Sequence, residues 1–211
     1  MRAQVARRLE VQKPRLPPAV VPPGTKGRIL EVALELFATR GFHGASIRDI
    51  AGELSLHPGA LYVHFPSKEH LLAELVRLGH EAHYRGLEEA LAASGAEPVA
   101  QLRAVVGAHA RFHADYAMLA LVIDDEMHVL SSQRGAAALA IREKSVALLS
   151  RVIERGAKKG KLKVPHLFVA TAAIGAIGMR VAHWFKPGFE LSAEQVAEIQ
   201  GELAVRMLGG K

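Results

Sequence analysis

Two histidines four residues apart, His109 and His113, stand on the apolar stripe of one helical stretch. That stripe, over residues 98–116, also holds Leu102, Val105, Val106, Phe112 and Tyr116 at helical spacing, so both imidazoles face inward. The next stretch, 118–130, carries Glu126 on a stripe with Leu119, Val122, Ile123, Met127 and Leu130. A carboxylate on a dry face is costly without a partner, and a histidine is a fair candidate for one. Three readings stay open: a polar cluster that satisfies itself inside a helix bundle, the lining of a pocket for a small effector, or a metal site. An i, i+4 histidine pair suits a metal, but no HExxH pattern accompanies it. An acid–base or metal enzyme built on His109, His113 and Glu126 has no nucleophile motif and no cofactor loop to support it, and the chain holds no Cys. No catalytic residue, metal or cofactor is therefore expected.

A second constellation lies nearer the N-terminus. After Pro23 and Gly24, apolar residues Ile29, Val32, Ala33, Leu36 and Phe37 line one helical face, with Thr25 able to cap the start and Gly41 placed where a helix would end. Ser46, with Asp49 three residues on, opens a two-turn helix over Ile47–Leu54. Ser55 and Leu56 follow, then a short helix from His57 or Pro58 to His64, which Pro66 stops before Ser67 caps the next. Two short helices behind a longer amphipathic one make a helix-turn-helix, whose second short helix can enter a DNA major groove. On that helix Leu61 and Phe65 face inward, while Gly59, Ala60, Tyr62 and Val63 face outward and His64 lies at the boundary. Small Gly59 and Ala60 let the backbone approach base edges, Tyr62 offers a hydroxyl to phosphate, and His57 sits at the end that meets the groove. Lys68 stands beside the next helix N-terminus, a phosphate-favouring position. Thr25, Lys26, Ser46, Arg48 and Pro58 complete the candidate contacts. The bland alternative is that Tyr62 and His64 pack against the first helix.

These residues carry a resemblance. The run "ILEVALELFATRGF" and the following "IRDIAGELSLHPGALYVHFPSKEHL" resemble the DNA-binding domain of the TetR family of bacterial transcriptional regulators. The resemblance implies that Ile47–Leu54 is the positioning helix, that His57 or Pro58 to His64 is the recognition helix, and that Tyr62 and Lys68 touch phosphates. Two positions depart from the family pattern: Ser55 stands where the turn usually has Gly, and His57 where the recognition helix usually begins with Ser. Histidine is the poorer cap, so either the helix start shifts or His57 reads a base instead. The resemblance further implies a homodimer joined through residues 165–208 and a repressor released from operator DNA by a small effector. "HWFKPG" around Trp184, "LSAEQV" after it, "DDE" at Asp124–Glu126 and "SSQ" at Ser131–Gln133 are similar to members that respond to acyl-CoA thioesters, including steroid-catabolism repressors. Where those members place polar or aromatic ligand contacts this chain has Gly175 and Met179, so the resemblance transfers no ligand residue. His109, His113, Glu126 and Trp184 are the candidate effector contacts.

The elements that must position these groups follow from composition. Of 211 residues, half are hydrophobic but only 5% are aromatic, a mix that favours helices over a barrel or sandwich. Helical patterns fill the remainder, to about residue 93, then 98–116, 118–130, 135–157, 165–185 and 192–208, with no strand pattern. The expectation is an all-α protein with a flexible basic arm (1–23), a three-helix DNA-binding domain (24–70) and a helical effector-binding and dimerisation domain (71–211). Gly175 and Gly178 lie in mid-helix, where close approach of another helix or a ligand would offset their poor propensity. The apolar run Leu167–Met179 has thirteen residues, too short to span a bilayer, and reads as a buried helix. No apolar run follows the early arginines and the arm lacks an apolar face, so neither a secretory signal nor a membrane partner is expected and the chain reads as cytoplasmic. The net charge of +6 suits a polyanion, yet residues 24–70 balance five bases against five acids. The excess sits in the arm and in the five bases from Arg155 to Lys163.

Overall fold

The structure, a computed structural model, describes residues 14–210; among them are nine α-helices and no strand. They fall into two compact units, one formed by the chain through Ala82 together with Met118–Ala140, the other by His83–Ala117 and the chain from Ile141 onward. The division between Ala82 and His83 falls inside a helix.

In the first unit, α1 (Thr25–Gly44) buries Ile29, Leu30, Ala33, Leu34, Leu36 and Phe37. Its cap is Gly24, at φ 70, and not Thr25, which is exposed as the first helical residue. Gly41, at φ 73, breaks the helix where the sequence placed its end, and a last turn follows to Gly44. Two short helices come next, α2 (Ile47–Glu53) and α3 (Pro58–His64), then α4 (Lys68–Ala93). On α4 Leu71, Leu72, Leu75, Val76 and Leu78 are all buried. A Cβ on Gly79 would lie 2.3 Å from Ile123 of α6 (Ala117–Glu126), so this part of α4 packs with α6. That contact draws α6 into the first unit. The single helix expected over 118–130 ends instead at Glu126, followed by a 3-10 turn at Met127–Val129 and by α7 (Ser132–Lys158).

Arm residues 1–13 lie outside the described part, and the rest of the arm is not a loose leader. Leu16 is buried, Pro18–Val20 forms a 3-10 turn, and a Cβ on Gly27 would meet the Pro22 carbonyl oxygen at 2.2 Å. Leu16 and Pro17 are therefore packed, and Val21 and Pro22 lie on α1, while Arg15, Pro18, Ala19 and Pro23 are exposed.

The second unit centres on α5 (Pro98–Asp115), which packs most extensively against α9 (Ala193–Met207) and also against α8 (Leu167–Trp184). Gly201 gives α9 its close approach, since a Cβ there would lie 2.6 Å from the Arg103 carbonyl oxygen. Val105, Val106, Leu148, Ile153, Ile174 and Val205 share one apolar core. Ser192 and Gln195 cap α9 reciprocally. Helix α8 starts after Pro165 because the His166 ring accepts the Val169 N–H. It is long and apolar enough by length and composition to cross a membrane. The sequence reading of a buried helix is thereby corrected, since Phe168, Val169, Ile177 and Trp184 are exposed.

Candidate nucleic-acid interface and a buried histidine cluster

The turn between α2 and α3 is built from local chemistry. Ser46 and Asp49 close a capping box: the Asp49 N–H donates to Ser46 Oγ at 3.1 Å, and Asp49 Oδ2 accepts from the Ser46 N–H at 2.7 Å. The Ser46 hydroxyl also donates to Asp49 Oδ2 at 2.6 Å, and this bond, followed by the one from the Ser46 N–H, holds the Asp49 carboxyl below its ordinary value of 3.8, aided by Arg40 and Lys68. Ser55 follows at φ 54, a left-handed conformation that costs a side chain about 1–2 kcal/mol. His57 then caps α3, its Nδ1 accepting the Gly59 N–H at 3.1 Å. The helix start has not shifted. An Nδ1 that accepts leaves a neutral ring with its proton on Nε2, so exposed His57 presents a donor of the kind guanine and phosphate oxygens accept.

Helix α3 divides cleanly into two faces. Leu61 and Phe65 are buried, whereas Tyr62 is 52% and Val63 82% exposed, and Gly59 and His64 are exposed as well. Tyr62 and His64 therefore do not pack into the first helix. Ala60 and Pro58 are half-buried, and Thr25, Ser46 and Arg48 are exposed.

Two expected phosphate or DNA contacts have other occupations. Lys68 Nζ donates to the carbonyls of Phe42 (2.7 Å) and Ala45 (2.8 Å) and lies 4.3 Å from the Phe42 ring centre. Partial burial pushes its ammonium below the ordinary 10.5, against the pull of Glu126 and Asp49. Lys26 pairs with Glu74 at 3.1 Å, and Glu74 also holds Arg77. Both lysines brace the head from within the first unit.

Glu126 corrects a further expectation. Its partner is no histidine: Oε1 accepts the Phe42 N–H at 2.9 Å. The chain just after Gly41 is thus held at its N–H by α6 and at its carbonyl by α4. A cavity of about 270 Å³ lies beside this contact, lined by Phe37, Phe42, His43, Met118, Asp125 and Glu126 among others.

His109 and His113 are buried in the second unit as their spacing implied, and they meet a third ring, His83 of α4, which periodicity had not singled out. His83 Nε2 lies 2.8 Å from His109 Nδ1, His109 Nε2 lies 2.9 Å from the Gly175 carbonyl, and His113 Nδ1 lies 2.8 Å from the His109 carbonyl. Burial pushes the His109 imidazole below its ordinary 6.5, opposed by the bond to Gly175. Phe112 stacks edgewise on His83 and His113 and lies 5.4 Å from Tyr116, centre to centre. Gly178 is what admits His109, whose Cδ2 would lie 2.2 Å from a Cβ there; Gly175 faces open space and contributes only its carbonyl. Trp184 belongs to a different group, with Phe185 and Phe189.

Comparison with known proteins adds two family matches. Residues 29–75 match the family described as bacterial regulatory proteins, tetR family, and residues 95–208 match the tetracyclin repressor-like, C-terminal domain. The HTH-type transcriptional repressor KstR2 of Mycobacterium tuberculosis is 31% identical over 193 residues, covering 88% of this chain and 92% of that protein. KstR2 of Rhodococcus jostii is 28% identical over 187 residues, covering 86% and 91%. Among solved structures, a bacterial regulatory protein in the tetR family from Rhodococcus RHA1 superposes with a TM-score of 0.82 at 31% identity, covering 87% of this chain and 96% of that one. AibR, crystallised with isovaleryl coenzyme A and operator DNA, shares the fold, with a TM-score of 0.73 at 24% identity over 87% and 97%.

Proposed function

The chain belongs to the TetR family of bacterial transcriptional regulators, which are not enzymes, and from that premise we propose a cytoplasmic homodimeric repressor that a small apolar effector releases from operator DNA. The observation that carries the DNA-binding part is α3: Leu61 and Phe65 anchor one face, while His57, Gly59, Tyr62 and His64 are displayed on the other. Arg48 on α2 and Thr25 on α1 complete the reading surface. Lys26 and Lys68 act at one remove, by fixing the elements that present α3.

An acyl-CoA effector is supported by the likeness of the short runs around Asp124, Ser131 and Trp184 to acyl-CoA-responsive members, and by AibR, which shares the fold and was crystallised with isovaleryl coenzyme A. The effector must bind the conformation that misses the operator more tightly than the one that fits it, since equal affinity shifts nothing. Dimerisation through α8 and α9 is supported by their exposed apolar residues, above all Ile199, Leu203 and Met207, which fall at i, i+4 and i+8 along α9. Leu203→Glu should turn a dimer into a monomer in sedimentation.

The test is footprinting on DNA upstream of the protein's own gene, repeated with acyl-CoA thioesters of increasing chain length. Protection of a palindrome, lost on adding one of them, is the expected result; specific binding that no acyl-CoA alters sinks the effector assignment. Replacing His57 by Asn keeps a good cap but removes the Nε2 donor. It should cost about 1–3 kcal/mol of operator affinity if that donor reads a base.

A further inference from the structure

We propose that His83, His109 and His113 form a tris-imidazole site for one first-row transition-metal ion, Zn2+ in the first instance. This goes beyond the regulator reading and does not depend on it, and it revises the expectation of a metal-free chain. One ring nitrogen from each histidine lies within 4.8 Å of one from each of the other two, and His109 and His113 are buried.

The outer hydrogen bonds are those a metal site needs. Carbonyl oxygens only accept, so the His109 bond to Gly175 puts a proton on Nε2, and the His113 bond to the His109 carbonyl puts one on Nδ1. In neutral rings that leaves His109 Nδ1 and His113 Nε2 as the basic nitrogens. Metal-bound histidines almost always donate their other N–H to a carbonyl or carboxylate, which fixes tautomer and ring orientation. Two of the three ligands here already have that support from backbone. His83 meets the same centre through Nε2, now donating to His109 Nδ1. Metal entry moves the His83 proton to Nδ1 and replaces this hydrogen bond by two coordinate bonds.

The movement required is small. Zn–N bonds of about 2.0–2.1 Å at tetrahedral angles put ligand nitrogens about 3.3 Å apart. The 2.8 Å His83–His109 contact must then open by about 0.5 Å and the His113 nitrogen close in. Position also favours the site: His109 and His113, one turn apart on α5, form a chelating pair, and the third ligand comes from α4. A fourth position falls to water, because among the described residues no other His, Asp or Glu is grouped with these three and the chain holds no Cys.

The test uses the full chain, purified without a polyhistidine tag, stripped with chelator and titrated with Zn2+ by calorimetry and with Co2+ by visible absorption. One ion per chain and the intense bands of tetrahedral Co2+ are expected. His83→Asn, at the half-buried ligand, should weaken binding by more than about 100-fold, beyond the 10–100-fold typical of losing an outer-shell partner. His128→Asn, a surface control, should leave it unchanged. Should His109→Asn or His113→Asn fail to fold, X-ray absorption of the zinc-loaded wild type still counts the imidazoles, three being the expected number. Sub-stoichiometric uptake, octahedral Co2+, or binding indifferent to His83→Asn overturns the site and leaves the three rings as a hydrogen-bonded cluster only.

Discussion

Ser55 and His57 stand two residues apart in the turn that sets the angle of the recognition helix, and both do work a different residue type does better. Ser55 holds a left-handed φ of 54 that glycine adopts without strain. Ser55→Gly should therefore raise the stability of the first unit by up to about 1 kcal/mol in urea unfolding, the strain relieved slightly outweighing the entropy glycine adds to the unfolded chain. A loss of stability would mean that the Ser55 side chain makes a compensating bond. Asp49 gives a pH signature. Its pKa is depressed on folding by the bonds to Ser46, so its contribution is complete above the ordinary 3.8 and disappears as pH falls through the lower folded value. Amide exchange at Ser46 and Asp49 should accelerate across that acid range, and Ser46→Ala should flatten the dependence.

At the scale of elements, helix α8 offers two glycines three residues apart with opposite expectations. Gly178→Ala drives a methyl into the His109 ring and should lower the melting temperature, overpacking of about 1–3 kcal/mol exceeding the helix-propensity gain. Gly175→Ala meets nothing within 4 Å and should raise it by the propensity term, about 1 kcal/mol. Equal effects would mean that the α5–α8 approach is looser than described. The same contrast explains what could be read from sequence. The capping box at Ser46, the helix break at Gly41 and the inward set Leu61 and Phe65 are local, encoded in spacings of three or four residues. His83 was hidden because it belongs to a site only once α4 lies beside α5, 26 residues further on. The partner of Glu126 was hidden for a like reason: a backbone N–H has no letter in the sequence, and Phe42 lies 84 residues away.

For the whole molecule, charge and shape separate. The reading head is neutral, so bulk attraction to DNA must come from elsewhere, and Arg2, Arg7, Arg8 and Lys13 precede the buried Leu16 and Pro17. Deleting 1–13 while keeping Leu16 should reduce the slope of log affinity against log salt by up to about 0.9 for each phosphate those bases neutralise. An unchanged slope would show that they touch none. Removing all of 1–23 would confuse this result by stripping Leu16 and the Val21–Pro22 packing from α1.

The bond from Phe42 to Glu126 also decides how this protein can be rebuilt. A chimera joined at residue 70 keeps Lys68 with its two carbonyls but leaves α6 behind, stranding the N–H of a buried residue at a cost of about 1–3 kcal/mol. The head is not a portable cassette: grafted onto another regulator, it needs an acceptor at the position of Glu126, and hybrids that lack one should bind DNA only weakly whatever the quality of their recognition helix.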